Sequence, residues 1–358
     1  MRVLVWQWGR RGAGPRFAAL LAHNLAEVPD TKALLSLASG AELLRSRTPP
    51  ETDLFFKTYR SVTGFARRVL SAPVLLPRLE RWLQDQRIDV ALCAMPAALD
   101  LMMAAALRRA GVPFAVVVHD ASRHPGDVFP VQMILQRRLI RQADGVFALT
   151  AHVADGIRAQ GLNGGLQGDK PLFMAVHPPF SFGPPPPPPM AHKGPMRLLS
   201  FGRLLPYKGL DLLLDGMTRL GPRPDFVLRV VGHGPDTPEL AALAQRPGVT
   251  VENRWVPEDE VGALIAWSDA LILSHREASQ SGVAAAAIAA RRWVVATRVG
   301  GLAEQLQNEP MARMCEPTGD GVAAAIADLL SRHTVPSATQ PAADLMTHGM
   351  ATALRSLF

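Results

Sequence analysis

Short apolar runs alternate with amphipathic stretches along most of the chain, and this alternation limits the folds that it can adopt. The apolar runs of the first half are RVLVWQW, DVALCAM, FAVVVHD, GVFALT and LFMAVHPP; those of the second half are RLLSFGRL, FVLRVVGHG, VTVENRWV, DALILS, WVVATRV and MARMCEP. Runs of this length indicate strands, and the stretches between them, such as PRFAALLAHNLAEV and GLDLLLDGMTRL, have the spacing of helices. Because alternating strands and helices build parallel sheets covered on both faces, the sequence predicts an α/β fold with doubly wound domains.

A proline-rich stretch divides the chain. HPPFSFGPPPPPPMAHKGP runs from His177 to Pro195, and its six successive prolines cannot join a sheet and favour an extended polyproline conformation. A stiff surface spacer is one interpretation, and a recognition site for an SH3-type domain is the other. With 358 residues the chain is long enough for two domains, which we place at 1–177 and 196–340, with a linker at 178–195 and a helical tail at 341–358.

The composition is typical of a globular protein from a reducing compartment. No apolar run reaches the roughly 18 residues of a membrane span, and the start MRVLVWQWGRR lacks a signal-peptide pattern. The two cysteines, Cys93 and Cys315, lie in apolar sequence, so we expect them in the core rather than in a disulfide or a zinc site. These features predict a cytoplasmic protein.

Positive charge is concentrated in the first half. Residues 1–190 contain 22 Lys and Arg against 14 Asp and Glu, whereas the remainder contains 16 against 17. This asymmetry indicates an anionic partner, with phosphate groups, an acidic membrane surface and nucleic acid as candidates, unless it reflects an arginine-rich proteome. The chain has no recognisable nucleic-acid-binding module and no interleaved aromatic residues, so we expect no nucleic-acid partner.

Residues 31–88 fit the strand–helix alternation less well. The stretch is apolar, basic and broken by Pro73 and Pro77, and it predicts mainly helices. These helices either pack on the sheet of the domain or, being basic and amphipathic, lie on a membrane.

Two loops of the first half follow predicted strands. GRRGAGPR, with Gly12, Ala13 and Gly14, permits a tight turn before a helix that offers free amides, so it either binds a phosphate or hydroxylated acceptor or is an ordinary loop. Its spacing is not G-x-G-x-x-G, which argues against a nicotinamide-dependent enzyme. VVVHDASRHPGD places His119 at the end of a strand and His124 five residues later. An imidazole there either contacts a substrate hydroxyl or is structural. A metal site would need a third ligand, and no convincing one lies close by in the sequence.

In the second half, SFGRLLPYKGLDLLL places Gly202, Arg203 and Lys208 between a strand and a helix. Two cations at a helix N-terminus favour diphosphate oxygens, through Coulomb attraction and charge-assisted hydrogen bonds; two solvated surface cations are the alternative. VVGHGPD adds another glycine turn after a strand, at Gly232 and Gly234, and is a weak signal alone.

EASQSGV forms a further strand-to-helix turn. Ser281 is the predicted N-cap, and the amides of Gly282 and Val283 are then available to an anion. Glu277 stands beside them. A carboxylate in this position is better suited to accept hydrogen bonds from sugar hydroxyls than to bind phosphate.

Taken in order, GRLLPYKGLDLLL, VVGHGPD, RWVPEDEVGALIAWSDALILSHRE, EASQSGV and VVATRVGGLAEQ resemble the family-4 glycosyltransferases, retaining enzymes of the GT-B fold. The resemblance is strongest over residues 197–307 and looser in the first half, where GRRGAGPR and VVVHDASRHPGD carry it. It implies two Rossmann-like domains that face a central cleft. The first would lie on the acceptor side, and the second would bind a nucleotide-sugar donor.

The resemblance also implies roles for individual residues. His119 would face the transferred sugar, Arg203 and Lys208 would stabilise the departing diphosphate, and Glu277 would hold sugar hydroxyls, which makes these four the catalytic candidates. The donor-binding residues would be Gly202, Gly232, Gly234, Val256, Ser279, Gln280, Ser281, Gly282 and Val283, with Val256 near the base. The acceptor side would include Gly12, Ala13, Gly14 and His124. No Asp-x-Asp motif occurs, which agrees with metal-independent transfer; no cofactor is expected, since the nucleotide sugar is a co-substrate.

The sequence departs from the family pattern at two places. A second glutamate usually follows on the helix and bonds the ribose, and at its expected position stands Ala286. Arg292 and Trp293 stand where glycine and proline are usual. Hydrogen bonds to a charged group contribute about 1–3 kcal/mol, so the missing glutamate would weaken donor binding roughly 5- to 150-fold. The cations that stabilise the leaving phosphate are retained.

The sequence therefore predicts a hexosyltransferase-like enzyme that uses a nucleotide sugar and a glycan or lipid-linked acceptor to build cell-envelope polysaccharide or glycolipid. We expect it in the cytoplasm at the inner face of the cell membrane, as a peripheral protein whose basic first half contacts anionic lipid. The alternative is a GT-B-like binding or scaffold protein with impaired catalysis, which the loss at Ala286 would explain.

Overall fold

A computed structural model describes residues 1–122, 125, 130–165, 168–331 and 343–358 of the chain. The contacts divide them into two compact units, each built on its own parallel sheet. The first unit contains Met1–Ser122, the described residues from 130 to Val176, and the described C-terminal residues from 343 onward. The second unit contains the described residues from His177 to 331.

Strands and helices alternate in both units. The strands are β1 (Arg2–Gln7), β2 (Lys32–Ala38), β3 (Leu54–Phe56), β4 (Val90–Cys93), β5 (Phe114–Val118), β6 (Gly145–Ala148), β7 (Gly164–Gly165), β8 (Gly168–Asp169), β9 (Leu172–Met174), β10 (Met196–Phe201), β11 (Phe226–Gly232), β12 (Val249–Asn253), β13 (Ala270–Leu273), β14 (Trp293–Thr297) and β15 (Ala312–Cys315). The helices are α1 (Ala13–Ala26), α2 (Val62–Leu70), α3 (Ala72–Asp85), α4 (Asp100–Ala110), α5 (Pro130–Gln142), α6 (Ala151–Ala159), α7 (Leu210–Leu220), α8 (Pro238–Ala244), α9 (Glu258–Trp267), α10 (Gly282–Ala289), α11 (Gly300–Leu306), α12 (Gly319–Leu330) and α13 (Ala343–Arg355). Short 3₁₀ turns lie at Glu42–Arg45 and Pro206–Lys208.

The sheet of the first unit is buried on both faces. Its strand order is β3-β2-β1-β4-β5-β6-β9, and neighbouring strands run parallel. Along β1, Leu4 and Trp6 belong to one apolar cluster, whereas Val3 and Val5 belong to another. Alternate side chains of a strand point to opposite faces, so the two clusters lie on opposite faces of this sheet.

The prediction of mainly helices for residues 31–88 is wrong in its first part. Lys32–Ala38 forms β2, which pairs with β1, and Leu54–Phe56 forms β3 at the edge of the sheet. Helices α2 and α3 follow, as expected for 62–85. A seven-residue apolar run such as KALLSLA has no decisive periodicity, and pairing with β1 determines its conformation.

The second unit has the doubly wound strand order β12-β11-β10-β13-β14-β15, again with parallel neighbours. In this order the chain runs outward from β10 in one direction and then from β13 in the other. The loops after β10 and β13 therefore lie side by side at a topological switch point, where ligands of such sheets usually bind. The predicted α/β class, with two Rossmann-like doubly wound domains, is confirmed.

The proline-rich stretch is held against the second unit by two buried side chains. The guanidinium of Arg292 donates to the carbonyl oxygen of Pro187 at 2.8 Å. The carboxylate of Asp269 accepts from the backbone amide of Met190 at 2.6 Å and from Nε2 of His192 at 2.8 Å. These contacts fix the stretch along the unit.

The C-terminal helix α13 belongs to the first unit. Met350, Ala351 and Leu354 are buried in an apolar cluster that also contains residues of α1 and β1. The guanidinium of Arg355 donates to the carbonyl oxygen of Pro29 at 2.9 Å. The helix therefore completes the core of a unit whose other elements lie more than 160 residues earlier in the chain.

The two cysteines of the chain lie in the cores of different units. Cys93 and Cys315 are both buried, as predicted, and neither forms a disulfide. Among the helices of the described ranges, none is both long and apolar enough to cross a membrane.

Candidate functional site

Two loops of the second unit meet at its switch point. The loop after β10 carries Gly202 and Arg203 and ends in the 3₁₀ turn that contains Lys208. The loop after β13 begins with Ser274 and His275 and leads into EASQSGV. Residues from both loops line a small solvent-open recess.

A cluster of two cations, a tyrosine and a histidine lies at this recess. Arg203, Lys208 and His275 line it, and Tyr207 contacts all three. The guanidinium of Arg203 donates to the hydroxyl of Tyr207 at 2.8 Å and lies 5.3 Å from the centre of that ring. The ammonium of Lys208 lies 5.2 Å from the same ring and 2.7 Å from Nε2 of His275. Since an ammonium only donates, Nε2 accepts, and His275 is therefore neutral with its proton on Nδ1. Both positive charges therefore lie within 5.3 Å of the centre of the Tyr207 ring, which keeps them close to each other.

Close backbone approaches bring the loops together. At Gly232, the last residue of β11, a Cβ atom would lie 1.7 Å from the carbonyl oxygen of Gly202, so only glycine fits. Gly209 has φ of 65°, and a Cβ there would lie 1.9 Å from the carbonyl oxygen of Ser274. The hydroxyl of Ser274 also donates to the carbonyl oxygen of Lys208 at 3.1 Å. The loop glycines are therefore needed for packing of the two loops against each other.

The turn EASQSGV has the predicted N-cap. The hydroxyl of Ser281 accepts from the amide of Ala284 at 3.2 Å, and α10 begins at Gly282. The side-chain amide of Gln305 accepts from the amide of Ser281 at 2.8 Å and donates to its carbonyl oxygen at 3.0 Å. Both contacts fix the turn, and the first amides of α10 are left to the cap or to a ligand.

Val283 lies next to the loop after β10. A Cβ on Gly202 would lie 3.8 Å from the ammonium of Lys208 and 3.9 Å from Cγ2 of Val283. The structure therefore brings Val283 next to Gly202 and Lys208, which lie 81 and 75 positions earlier in the sequence.

The other predicted donor-side residues occupy the same sheet edge or its loops. Glu277 is half-buried, Ser279 is buried, and Gln280 is half-buried in the turn before α10. Gly234 donates from its amide to the side-chain oxygen of Asn253 at 3.1 Å, and Val256 is buried in the loop after β12.

Ala286 lies on α10 with only 2% of its surface exposed. It belongs to an apolar cluster that includes Leu199, Val231 and Val256. The alanines of α10 therefore form part of the core under the turn, and position 286 carries a methyl group where the family pattern has a carboxylate.

The predicted acceptor-side residues lie in the first unit. Gly12 precedes α1 with φ of 80°, Ala13 is exposed as the first residue of that helix, and Gly14 is buried, where a Cβ would lie 2.8 Å from Nε2 of Gln7. His124 lies outside the described residues.

His119 is buried after β5 in the first unit. Its Nε2 lies 3.0 Å from the carbonyl oxygen of Ala94, and because a carbonyl only accepts, Nε2 carries the proton. The ring of Phe17 packs edge-on against it, with centroids 4.7 Å apart. Burial lowers the pKa of His119, so the ring is neutral at physiological pH.

A buried carboxyl group lies beside the end of β4, the strand that pairs with β5. Asp100, at the start of α4, accepts from the amide of Ala97 at 2.6 Å and from the thiol of Cys93 at 3.3 Å. Burial raises the pKa of Asp100 to about 7 and raises the pKa of Cys93 well above its usual value. This pair was not singled out in the sequence.

Two residues of the cation cluster, Tyr207 and His275, were also missed in the sequence. The signal for His275 was available, because it lies two residues after the end of β13, much as His119 directly follows β5. Tyr207 gave no such signal, since its role depends on the fold of the loop around it. With Arg203 and Lys208, these residues form a site that can stabilise negative charge as it develops on a phosphate group.

Two family models match the chain. The model described as glycosyl transferase 4-like domain matches residues 11–165, and the model described as glycosyl transferases group 1 matches residues 195–332. Each match falls on a unit with a doubly wound sheet. The chain therefore belongs to the group 1, family-4-like glycosyltransferases, whose two Rossmann-like domains form the GT-B fold.

The particular relatives are distant. Over 107 residues the chain is 32% identical to GDP-mannose:glycolipid 4-beta-D-mannosyltransferase from Xanthomonas campestris pv. campestris. That match covers 28% of this chain and 30% of the relative, so the chain spans less than a third of the length of that curated protein.

Similarity to solved structures extends over nearly the whole chain. Anabaena Alr3699/HepE, solved in complex with UDP and glucose, has a TM-score of 0.66 at 16% identity, with 99% of this chain and 95% of that chain covered. Sucrose-phosphate synthase from Thermosynechococcus elongatus has a TM-score of 0.63 at 12% identity, with 100% and 94% covered. At these identities the similarity shows the fold.

Proposed function

We propose that this glycosyltransferase moves a sugar from a nucleotide-sugar donor to a glycan or lipid-linked acceptor. The observation that carries the proposal is the position of Arg203 and Lys208 at the switch point of the second unit, oriented by Tyr207 and His275. A nucleotide sugar reacts by breaking the bond between its anomeric carbon and a diphosphate oxygen. The developing charge then appears on that phosphate, where two fixed cations stabilise it.

The remaining donor contacts follow from the geometry of the turn before α10. The amides at the start of α10, at Gly282 and Val283, suit a phosphate oxygen, and the neighbouring Glu277 suits the hydroxyls of the sugar. We propose that Val256 borders the base and that the buried, neutral His119 faces the transferred sugar.

The names of the relatives support this donor and acceptor class. The curated relative is named for GDP-mannose and a glycolipid, and Alr3699/HepE was solved with UDP and glucose. The acceptor class fits the excess of positive charge in the first half of the chain, which favours an anionic or lipid-linked substrate.

We further propose that transfer is metal-independent, retains the configuration of the sugar, and occurs at the inner face of the cell membrane in the synthesis of envelope polysaccharide or glycolipid. Two side-chain cations supply the charge that a metal ion would otherwise supply. The name of the curated relative specifies a beta product, which by itself does not support retention. Comparing the anomeric configurations of the donor and of the product by NMR is the test: the same configuration supports retention, and the opposite one contradicts it.

Nucleotide binding is the first experiment. A thermal-shift panel of nucleoside diphosphates and nucleotide sugars identifies the base, and nucleotide release from the best donor is then measured with and without chelator. We expect stabilisation by one nucleotide diphosphate and slow release of that nucleotide that survives the chelator. No stabilisation at millimolar donor would contradict the proposal, and loss of release with chelator would contradict metal independence.

A second candidate is a binding or scaffold protein with impaired catalysis. Ala286, buried where the ribose-binding glutamate is expected, favours it. This candidate predicts that a nucleotide sugar stabilises the protein but that no nucleotide is released, even with membrane extracts as acceptor. Turnover above the uncatalysed rate would exclude it.

A further inference from the structure

Helices α2 and α3 expose a strip of large apolar side chains. The exposed fractions are 85% for Val62, 46% for Val69, 80% for Leu70 and 57% for Val74. The whole of α2 contains no buried residue. Since an ordinary surface helix turns its aliphatic residues inward, a strip of this kind indicates an interaction surface.

The opposite side of the two helices is attached to the core of the first unit. Phe65 packs edge-on against Tyr59, with ring centroids 5.0 Å apart, and both rings contact the main apolar cluster. Leu79 and Leu83 of α3 are buried in that cluster, and Glu80 pairs with Arg109 of α4 at 2.7 Å. The exposed strip is therefore the outer face of a fixed pair of helices.

Positive charge borders the strip. Residues 54–79 contain five basic residues and no acidic residue; the basic residues are Lys57, Arg60, Arg67, Arg68 and Arg78. All but Arg68 are exposed, and the guanidinium of Arg68 lies 5.8 Å from the ring of Phe56. This surface, made of the four strip residues and the five bordering cations, is called the basic apolar strip.

We propose that the basic apolar strip docks on an anionic lipid bilayer. Aliphatic side chains would enter the boundary between headgroups and acyl chains, while the long arginine side chains keep their charge at the level of the lipid phosphates. A nucleic acid would match the charge but not the aliphatic residues, and a second copy of the strip would repel through its like charges. The bilayer is the partner that matches both properties.

The inference extends the proposed function by giving a lipid-linked acceptor a membrane surface at which the enzyme meets it. It does not depend on donor chemistry, because bilayer binding is measured without any nucleotide. If the protein releases nucleotide from the donor but does not bind vesicles, the docking alone is overturned. If it binds vesicles but releases no nucleotide, the proposed function alone is overturned.

The experiment is co-sedimentation of the full chain with vesicles of phosphatidylcholine alone or mixed with phosphatidylglycerol. We expect binding to the anionic vesicles that weakens with added salt, because each basic residue near a charged surface contributes and salt screens that attraction. Equal binding to both kinds of vesicle, or none to either, would overturn the proposal. Self-association of the chain at the strip in place of vesicle binding would also overturn it.

Two double variants assign the binding to the strip. Val62→Ser with Leu70→Ser removes apolar contacts, and Arg67→Gln with Arg78→Gln removes charge; all four side chains are exposed, so folding is retained. Each pair is expected to weaken vesicle binding by about tenfold or more. The matched control is Ile134→Ser with Arg138→Gln on α5, where an exposed aliphatic residue and an exposed arginine are one helical turn apart. Strip variants that bind as the wild type does, or a control that loses binding equally, would overturn the assignment.

Discussion

The ammonium of Lys208 lies 2.7 Å from Nε2 of His275, and this contact joins the loops after β10 and β13. It places the lysine charge at the switch point and fixes its direction, since His275 is itself anchored: its carbonyl oxygen accepts from the hydroxyl of Thr297 at 2.5 Å, and its ring lies edge-on to that of Tyr207. A lysine side chain has many rotamers, and holding one of them in advance lowers the cost of meeting the phosphate.

The first prediction concerns Lys208→Met. Removing one preorganised cation should lower kcat for nucleotide release by about 100- to 1000-fold while the Tm of the apoprotein changes little. His275→Phe keeps the positive charge of Lys208 but removes the ring nitrogen that orients it. The kcat of this variant should therefore lie between that of the wild type and that of Lys208→Met. Steady-state kinetics with the donor found by thermal shift measures both.

The control for this pair is Lys193→Met, which removes an exposed lysine of the same unit. It should leave kcat unchanged. Equal loss in the control, or full activity of Lys208→Met, would show that the cluster does not meet the leaving group.

The second prediction concerns Ala286→Glu. Because position 286 is nearly covered by an apolar cluster, a carboxylate there should lower the Tm of the free protein. If this is the position of the ribose contact, the variant should nevertheless bind the donor about 5- to 150-fold more tightly than the wild type by calorimetry.

Ala285→Glu is the matched control, because Ala285 is buried on the same helix but one residue away around its axis. It should destabilise the protein without any gain in donor affinity. A folded Ala286→Glu protein with unchanged affinity would refute the position that we give to the missing glutamate.

The third prediction concerns Arg292, which explains one departure from the family pattern. Its guanidinium donates to the carbonyl oxygens of Pro187 at 2.8 Å, Ala266 at 3.1 Å and Ile265 at 3.3 Å. Arg292→Met leaves these oxygens without that donor, so the free energy of unfolding should fall by about 2 kcal/mol or more in urea titrations.

Arg291→Gly is the contrasting variant. Arg291 is exposed and has φ of 50°, a conformation that glycine adopts without strain. Removing this arginine should leave the free energy of unfolding unchanged or raise it. Equal losses for both variants would mean that charge, and not the contact with Pro187, determines the stability at this turn.

The fourth prediction concerns Asp100 and pH. Its pKa is about 7 in the folded protein and near 3.8 in the unfolded chain, so between these values the folded state retains a proton that the unfolded state releases. The free energy of unfolding should therefore decrease as pH rises from about 4 to about 7, by up to about 1.4 kcal/mol per pH unit from this group, and then level off.

Asp100→Asn keeps an oxygen that can accept from the amide of Ala97 but cannot ionise. Urea titrations from pH 5 to pH 8 should show the variant gaining stability relative to the wild type as pH rises. Parallel pH curves for the two proteins would contradict the burial of an ionisable group at this position.

The strand–helix alternation and the local motifs could be predicted because they depend on neighbours in sequence. The cap at Ser281 is an example, since its partner is the amide of Ala284, three residues away. In contrast, KALLSLA was expected as helix and forms β2, because only pairing with β1 decides between the two conformations.

The candidate site was predicted in part for the same reason. Arg203 and Lys208 were recognisable from the residues around them, but the contact of Lys208 with His275 spans 67 positions. The contact of Arg292 with Pro187 spans 105 positions, and nothing in the local sequence connects an arginine to the proline run. Such contacts depend on the three-dimensional arrangement of the sheet, so local sequence motifs do not predict them.

The return of α13 to the first unit bears on how the protein is made. Met350, Ala351 and Leu354 complete a core that begins with Val3 and Val5, so a ribosome has to synthesise the entire second unit before the first can close. While the chain is still growing, the surface of α1 that later receives α13 is open to chaperones or to wrong partners. The second unit has a sheet that needs no strand or helix from the C-terminal end of the chain. It is therefore able to fold before the first unit is complete, although most of the first unit is synthesised earlier.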